Sequence, residues 1–423
     1  MPSGEIYFGK SHAPDFVESV PHESVRAGAV LKYQRKDIFS KLDLIGYNNG
    51  DAKLLEENFG VLVAPKNARD QGFETTQLTR SLKTYGRSDF IPFGVVANDG
   101  TRFSVIYRRG VLATSDVKPG DLNSDSFGTR SRLGSGGLAD EKTTIAEQEN
   151  MALDLHKDGI RVRLPIMGFR IDSVLTKDGV KTVEDLVAIG AINRSYLENR
   201  PMVSYWARRS PYTFRDAFEV SDVRSFMKDQ LQVMENENTN LSKKVIEAIE
   251  TDEVKGLGVW SEWLVTVGAE QMSRYSKKGY IHPSFTDQNM TVAIESGDSG
   301  DDSETFSFSP LTKESSAKDK ENFGIQTCKM LFFATELREK LNSKLGSEVH
   351  DGLSDMVSIY LRELSTRDNA MILMKSMLSL LGDRDLSKLG CDNMQTNLIP
   401  ILRAKLVWYL GVGMVKRWTG RNE

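Results

Sequence analysis

Cysteine is almost absent: Cys328 and Cys391 are the only two in 423 residues. That excludes a disulfide framework and leaves no cysteine pair for a metal. Histidine is equally sparse. His12, His22, His156, His282 and His350 stand apart in the sequence, with no His-x-x-x-His or His-Glu-x-x-His spacing to set two ligands on one helix face. No Gly-x-Ser-x-Gly turn exposes a serine nucleophile. The glycine-rich Gly134-Ser-Gly-Gly137 has no Gly-Lys-Ser/Thr after it and no clear strand pattern before it. A nuclease assembled from distant carboxylates would leave no local pattern, and it stands as the catalytic alternative. The expectation is a protein without enzyme activity, metal or cofactor.

Excess positive charge is missing too. The 55 Lys and Arg against 59 Asp and Glu give a net charge of −4, which excludes a chain basic all over while leaving room for a local positive surface. No run of eighteen apolar residues occurs, so no membrane span is expected. The start Met1-Pro-Ser-Gly-Glu has neither the basic nor the apolar part of a secretory signal. The expected location is the cytoplasm, or the nucleus or a virion for a viral chain.

What is present is concentrated. Ser204-Tyr-Trp-Ala-Arg-Arg-Ser-Pro-Tyr-Thr-Phe-Arg215 packs four rings and three arginines into twelve residues. Guanidinium groups neutralise phosphates, and aromatic faces stack on bases without regard to sequence. Tyr205, Trp206, Arg208, Arg209, Tyr212 and Arg215 are therefore candidate nucleic-acid contacts. Arg274, Lys277, Lys278 and Tyr280 form a second interleaving of cations and rings. Lys416 and Arg417 form a third, inside the stretch Arg403–Arg421 that holds no acid. Arg130 and Arg132 lie in a small, polar segment suited to flexible phosphate contact.

The organisation predicted is α+β: a mixed α/β amino-terminal region followed by a predominantly α-helical carboxy-terminal lobe. Residues 1–135 form the mixed domain and residues 136–290 a mostly helical one with the basic aromatic patches. Residues 291–322 form an acidic, Ser-rich flexible loop containing Glu295-Ser-Gly-Asp-Ser-Gly-Asp-Asp-Ser-Glu304, and 323–423 a second helical domain. Asn98-Asp-Gly100 between Gly94-Val-Val-Ala and Arg102-Phe-Ser-Val-Ile-Tyr predicts a hairpin, because these residues tolerate the positive φ of a tight turn. Thr76–Tyr85 predicts a short helix stopped by Gly86. Thr182-Val-Glu-Asp185 has the pattern of a capping box and predicts a helix to about Leu197. A helix from Asp222 carries Val223, Phe226, Met227, Leu231 and Met234 on one side, and another follows with Leu241, Val245, Ile246 and Ile249. Trp260 and Trp263 suit core packing.

The order of elements over about fifty residues resembles the amino-terminal domain of ParB-type DNA-partition proteins: Pro65, Asn67, Arg69, a helix, Gly86, Pro92, a hairpin through Asp99-Gly100, and Arg108-Arg109. The resemblance implies a nucleotide site at Arg108 and Arg109. The chain departs from the pattern at Tyr107, where those proteins place a glycine, with Gly110 on the far side of the pair. The main expectation is a nucleocapsid- or coat-like protein that binds a single strand, RNA in preference to DNA, between two lobes and forms a homo-oligomer. The alternatives are the partition-type DNA-binding protein and a protein–protein scaffold, since Tyr, Trp and Arg also dominate protein interfaces.

Overall fold

Strand-forming stretches of the first half of the chain pair into one nine-stranded antiparallel sheet and a separate two-stranded one, and the helical spacing beyond them packs around two tryptophans. The computed structural model describes residues 19–40, 52–63, 72, 74–82, 88–91, 94–109, 139–141, 149–189, 194–282, 290–295, 312–313, 326, 330, 333–334 and 336–346. Contacts divide the chain into two units, residues 1–158, 162–211 and 298–309, and residues 159–161, 212–297 and 310–423. The architecture is α+β, with a curled antiparallel sheet.

In the first unit the strands are β1 (Ser19–Gln34), β2 (Val61–Val63), β3 (Thr75–Leu82), β4 (Ser88–Ile91), β5 (Val95–Val96), β6 (Arg102–Phe103), β7 (Val105–Arg109), β8 (Ala139–Asp140), β9 (Leu164–Thr176), β10 (Gly179–Thr182) and β11 (Pro201–Arg208). The helices are α1 (Ala52–Phe59), α2 (Asn150–Lys157) and α3 (Val183–Ala188). β9 is hydrogen-bonded to both β1 and β11, so the pairings β1-β3-β4-β7-β11-β9 return to their start. Closing the circuit removes open edges along these strands. Register shifts at Gly28/Ala29 and Leu31/Tyr33 in β1, and at Tyr205/Trp206 in β11, mark where the curl is taken up.

The expected hairpin is present: Val95 pairs with Phe103 and Val96 with Arg102, and Gly100 takes φ +86°. Asn98 fixes its turn, accepting from Ser40 N at 3.0 Å and donating through Nδ2 to the Asp37 carbonyl at 2.8 Å. The predicted helix from Thr76 is instead strand β3, paired with β1 and β4. Leu78 and Leu82 fit helical and strand spacing alike, and the β-branched Thr75, Thr76 and Thr79 favour the strand once partners exist. The Thr182 capping box forms, its hydroxyl accepting from Asp185 N at 3.2 Å, yet α3 ends at Ala188 rather than Leu197. The predicted helical domain 136–290 is corrected as well: the division falls after Pro211, and β9, β10 and β11 belong to the sheet.

The second unit holds α4 (Phe214–Glu219), α5 (Val223–Glu237), α6 (Asn240–Thr251), α7 (Glu253–Lys277) and the short pair β12 (Tyr280–Ile281) and β13 (Thr312–Lys313). The helix α5 starts where expected, and Asp222 caps it, accepting from Arg224 N and Ser225 N at 3.0 and 3.2 Å. Its inner face buries Val223, Phe226, Met227 and Met234, with Val233 and Gln230 where Leu231 was expected. Val245 and Ile249 of α6 are buried, while Leu241 and Ile246 are only partly so. Trp260 and Trp263 are core residues: Phe226 meets Trp260 edge-on at 5.7 Å, and Trp260 Nε1 donates to Gln230 Oε1 at 3.3 Å.

Residues 336–344 are helical, with Leu337 and Leu341 fully buried. The expected helical domain 323–423 otherwise lies mostly outside the described residues. The loop expected from residue 291 is corrected at its start, because Thr291–Glu295 are buried. Phe214 N donates to the Met290 carbonyl and Val292 N to the Tyr212 carbonyl, each at 3.1 Å, so these residues are tied to the segment entering α4. The rest of the acidic stretch lies outside the described residues.

Candidate nucleic-acid interface

The basic aromatic stretch begins as β11, a central strand hydrogen-bonded to β7 on one side and β9 on the other. Aromatic and β-branched residues suit such a site, and all eight residues of β11 are buried. Tyr205 is 1% exposed, and its hydroxyl donates to the Phe59 carbonyl at 2.8 Å while its ring meets Phe59 and Phe169 edge-on. Trp206 is 0% exposed, and its indole donates to Ser204 Oγ at 2.8 Å. Tyr212, in the second unit, is also buried, donating to Asp229 Oδ2 at 2.9 Å; burial first, then the Asp229 charge, hold its phenol well above the usual range. The structure therefore corrects the reading of Tyr205, Trp206 and Tyr212 as stacking platforms. Tyr205 and Trp206 are core because β11 has partners on both edges and cover on both faces, and Tyr212 because its ring packs edge-on against Phe226 at 5.3 Å.

The arginines beside these rings are also drawn inside. Arg163 lies with its Cζ 4.3 Å from the Trp206 ring centre and 5.3 Å from that of Tyr107, and Arg208 has its Cζ 5.1 Å from Tyr107. Trp206, Arg163, Tyr107 and Arg208 thus alternate as ring and cation. Arg163 and Arg208 are 2% and 5% exposed, and a desolvated cation on a ring is worth about 2 kcal/mol. Arg209 is half-buried with its Cζ 5.4 Å from Phe103, and its carbonyl accepts from Ser104 Oγ at 2.5 Å. Sequence reasoning missed Arg163; the alternation in Arg161-Val-Arg163 ahead of the apolar run of β9 was the available signal.

The resemblance to partition proteins loses two supports. The helix it requires is strand β3, and Arg108 is 2% exposed in β7, opposite Tyr205 of β11 and Asp89 of β4. The side chains of Arg109 and Arg215 lie outside the described residues, as do Arg130, Arg132, Lys416 and Arg417.

The second cluster has the opposite setting. Arg274 and Lys277 are exposed in the last turn of α7, and Lys278 is exposed just beyond it, where Gly279 takes φ +74° and Tyr280 enters β12 half-buried. Arg274 donates to the Gly159 carbonyl at 2.7 Å and pairs with Glu270 one turn back. Cations complement the negative end of the helix dipole there, and long side chains keep their charge in water. Tyr275 between them is buried, which holds its phenol above the usual range. Lys255, also exposed, lies near the start of α7. At 3.6 residues per turn it falls within roughly 40° of Lys277 around the helix and about 33 Å from it along the axis. Cations thus stand at both ends of the more exposed stripe of α7.

The literal spacing Gly4-x-x-x-x-Gly-Lys-Ser11 also occurs, outside the described residues. Sequence reasoning missed this spacing, which has the glycines, lysine and hydroxyl of a phosphate-binding loop in order. Among the described residues no group of three or more His, Cys, Asp or Glu could hold a metal, and no helix is long and apolar enough to cross a membrane. No family model and no curated protein matches the chain.

Proposed function

We propose that the protein is a non-enzymatic nucleic-acid-binding protein that coats a single strand, RNA in preference to DNA, without reading its sequence, and assembles with copies of itself. The observation that carries this reading is the exposed basic end of α7, where Arg274, Lys277 and Lys278 fall within five positions and Tyr280 follows. Cations gathered on one exposed turn contact phosphates, which fix a strand without specifying its bases. Arg208 and Arg209 leave the proposed interface, because Arg208 is taken up by Tyr107 and Arg209 by Phe103.

Counterion release sets the test. Two phosphate contacts on a single strand contribute a slope of about −1.4 in log K against log salt. Binding of an oligoribonucleotide by the full chain is expected to weaken as salt rises, and Lys277→Glu with Lys278→Glu is expected to flatten that dependence by about this amount for every base composition alike. Salt-independent binding, or an unchanged slope in the double variant, removes the assignment. Protein purified without nuclease and free of nucleic acid favours the scaffold instead.

A further inference from the structure

A cleft of about 360 Å³ opens in the second unit between the first half of α7 and the helical residues 336–344. Its wall carries Lys255, Gly258 and Glu262 of α7, Asp252 just before it, and Arg338 and Asn342 from the facing helix. The guanidinium of Arg338 lies against α7 at Gly258, where a Cβ would make ordinary contact with Nη2 at 3.4 Å. Nε and Nη1 of Arg338 are enclosed and meet no acceptor among the described residues. A guanidinium keeps its charge when buried, and dry donors without acceptors are costly, so an acceptor supplied by a ligand completes this site.

The other groups narrow the ligand. Lys255 and Arg338 are balanced by Asp252 and Glu262, which disfavours a bare anion. Asp252 already caps α7, accepting from Val254 N and Lys255 N at 2.9 and 3.1 Å. Asn342 is 3% exposed and lines the same cleft. Cations, an amide and a half-buried carboxylate on Glu262 together match a ligand that carries an anion beside hydroxyl and amino donors. The volume falls in the range of small-ligand pockets, about 300–1,000 Å³. We propose that this cleft binds one nucleoside monophosphate unit, its phosphate on Arg338 and Lys255 and its ribose and base edge toward Glu262 and Asn342. The unit comes either from a bound strand, in which case the inference rests on the nucleic-acid reading above, or from a free nucleotide.

Titration of the full chain with UMP, inorganic phosphate and a short oligouridylate separates these cases. Arg338→Gln is expected to weaken UMP and the oligonucleotide alike by about ten- to a hundredfold, the loss of a charge-assisted contact. Lys255→Glu, at an exposed position, is expected to weaken both by about tenfold with the thermal midpoint unchanged, which guards against a folding defect. Lys277→Glu with Lys278→Glu should weaken only the oligonucleotide. Oligonucleotide binding that responds to Lys277 and Lys278 but not to Arg338 or Lys255 overturns the cleft and leaves the proposed function standing. UMP binding that depends on Arg338, with no oligonucleotide binding, leaves the cleft as a free-nucleotide site and removes the coat reading. No UMP binding at millimolar concentration, or phosphate competing as well as UMP, overturns the inference.

Discussion

Two segments of this chain share a composition and differ in almost everything else. Residues 204–215 and 274–280 both interleave arginine or lysine with aromatic rings, yet the first is largely interior and the second largely exposed. Strand β11 has neighbours on both edges, so its rings and its Arg208 are enclosed from either face, and the cation is held by π-systems. The last turn of α7 is covered on one side, where Tyr275 is buried, and open on the other, so Arg274, Lys277 and the adjacent Lys278 reach water. Composition reports which chemistry a segment can offer; the number of faces that are covered decides whether it is offered to a partner or to the core.

The largest test of this contrast is Trp206→Ala. Removing a fully buried indole destabilises by about 3–5 kcal/mol, to be read as a lowered denaturant midpoint. A variant that stays as stable as the parent and loses only nucleic-acid binding would restore Trp206 as a stacking face. Next is acid titration just beyond the second segment, where the chain turns inward at His282. Its ring is fully enclosed, and burial lowers its pKa to about 3. The unfolded chain takes up that proton at its ordinary pKa, so stability is intact above about pH 6.5 and falls by about 1.4 kcal/mol per pH unit on acidification toward 3. His282→Gln should flatten this dependence, and an unchanged acid profile would place the imidazole in water.

A smaller effect is expected from Lys277→Glu with Lys278→Glu: about tenfold weaker oligoribonucleotide binding and an unfolding free energy within about half a kcal/mol of the parent. A large loss of stability there would make the two segments alike after all. The smallest is Tyr212→Phe, which removes the hydroxyl donated to Asp229 and should cost about 1 kcal/mol by chemical denaturation. No cost would mean that the hydroxyl is satisfied equally well by water.

Much of the local structure was legible. Asn98-Asp-Gly100 forms its hairpin turn, Thr182 and Asp222 cap the helices they precede, and Trp260 and Trp263 are core. Each depends on a few neighbouring residues or on a spacing that one element satisfies alone. The reading failed where two periods fit the same residues. Leu78 and Leu82 suit a helix or a strand, and β1 and β4 supply the partners that make Thr75–Leu82 a strand. The candidate site followed the same rule. Arg274, Lys277 and Lys278 were legible as exposed because three cations in five positions resist burial. The alternation of Trp206, Arg163, Tyr107 and Arg208 joins β11, β7 and the approach to β9, so no single stretch announces it. The Arg338 cleft, assembled from positions far apart in sequence, was invisible for the same reason.

The sequence by itself determined the Asn98–Gly100 turn, the helix starts at Thr182 and Asp222, most of the buried face of α5 and the basic character of two segments, since these are written in residues close together along the chain. Tertiary structure alone decided which of those segments is interior. The β9–β11 pairing closes the strands into a circuit, and enclosure by distant strands, not any property of residues 204–208 alone, turns a run of rings and arginines into core.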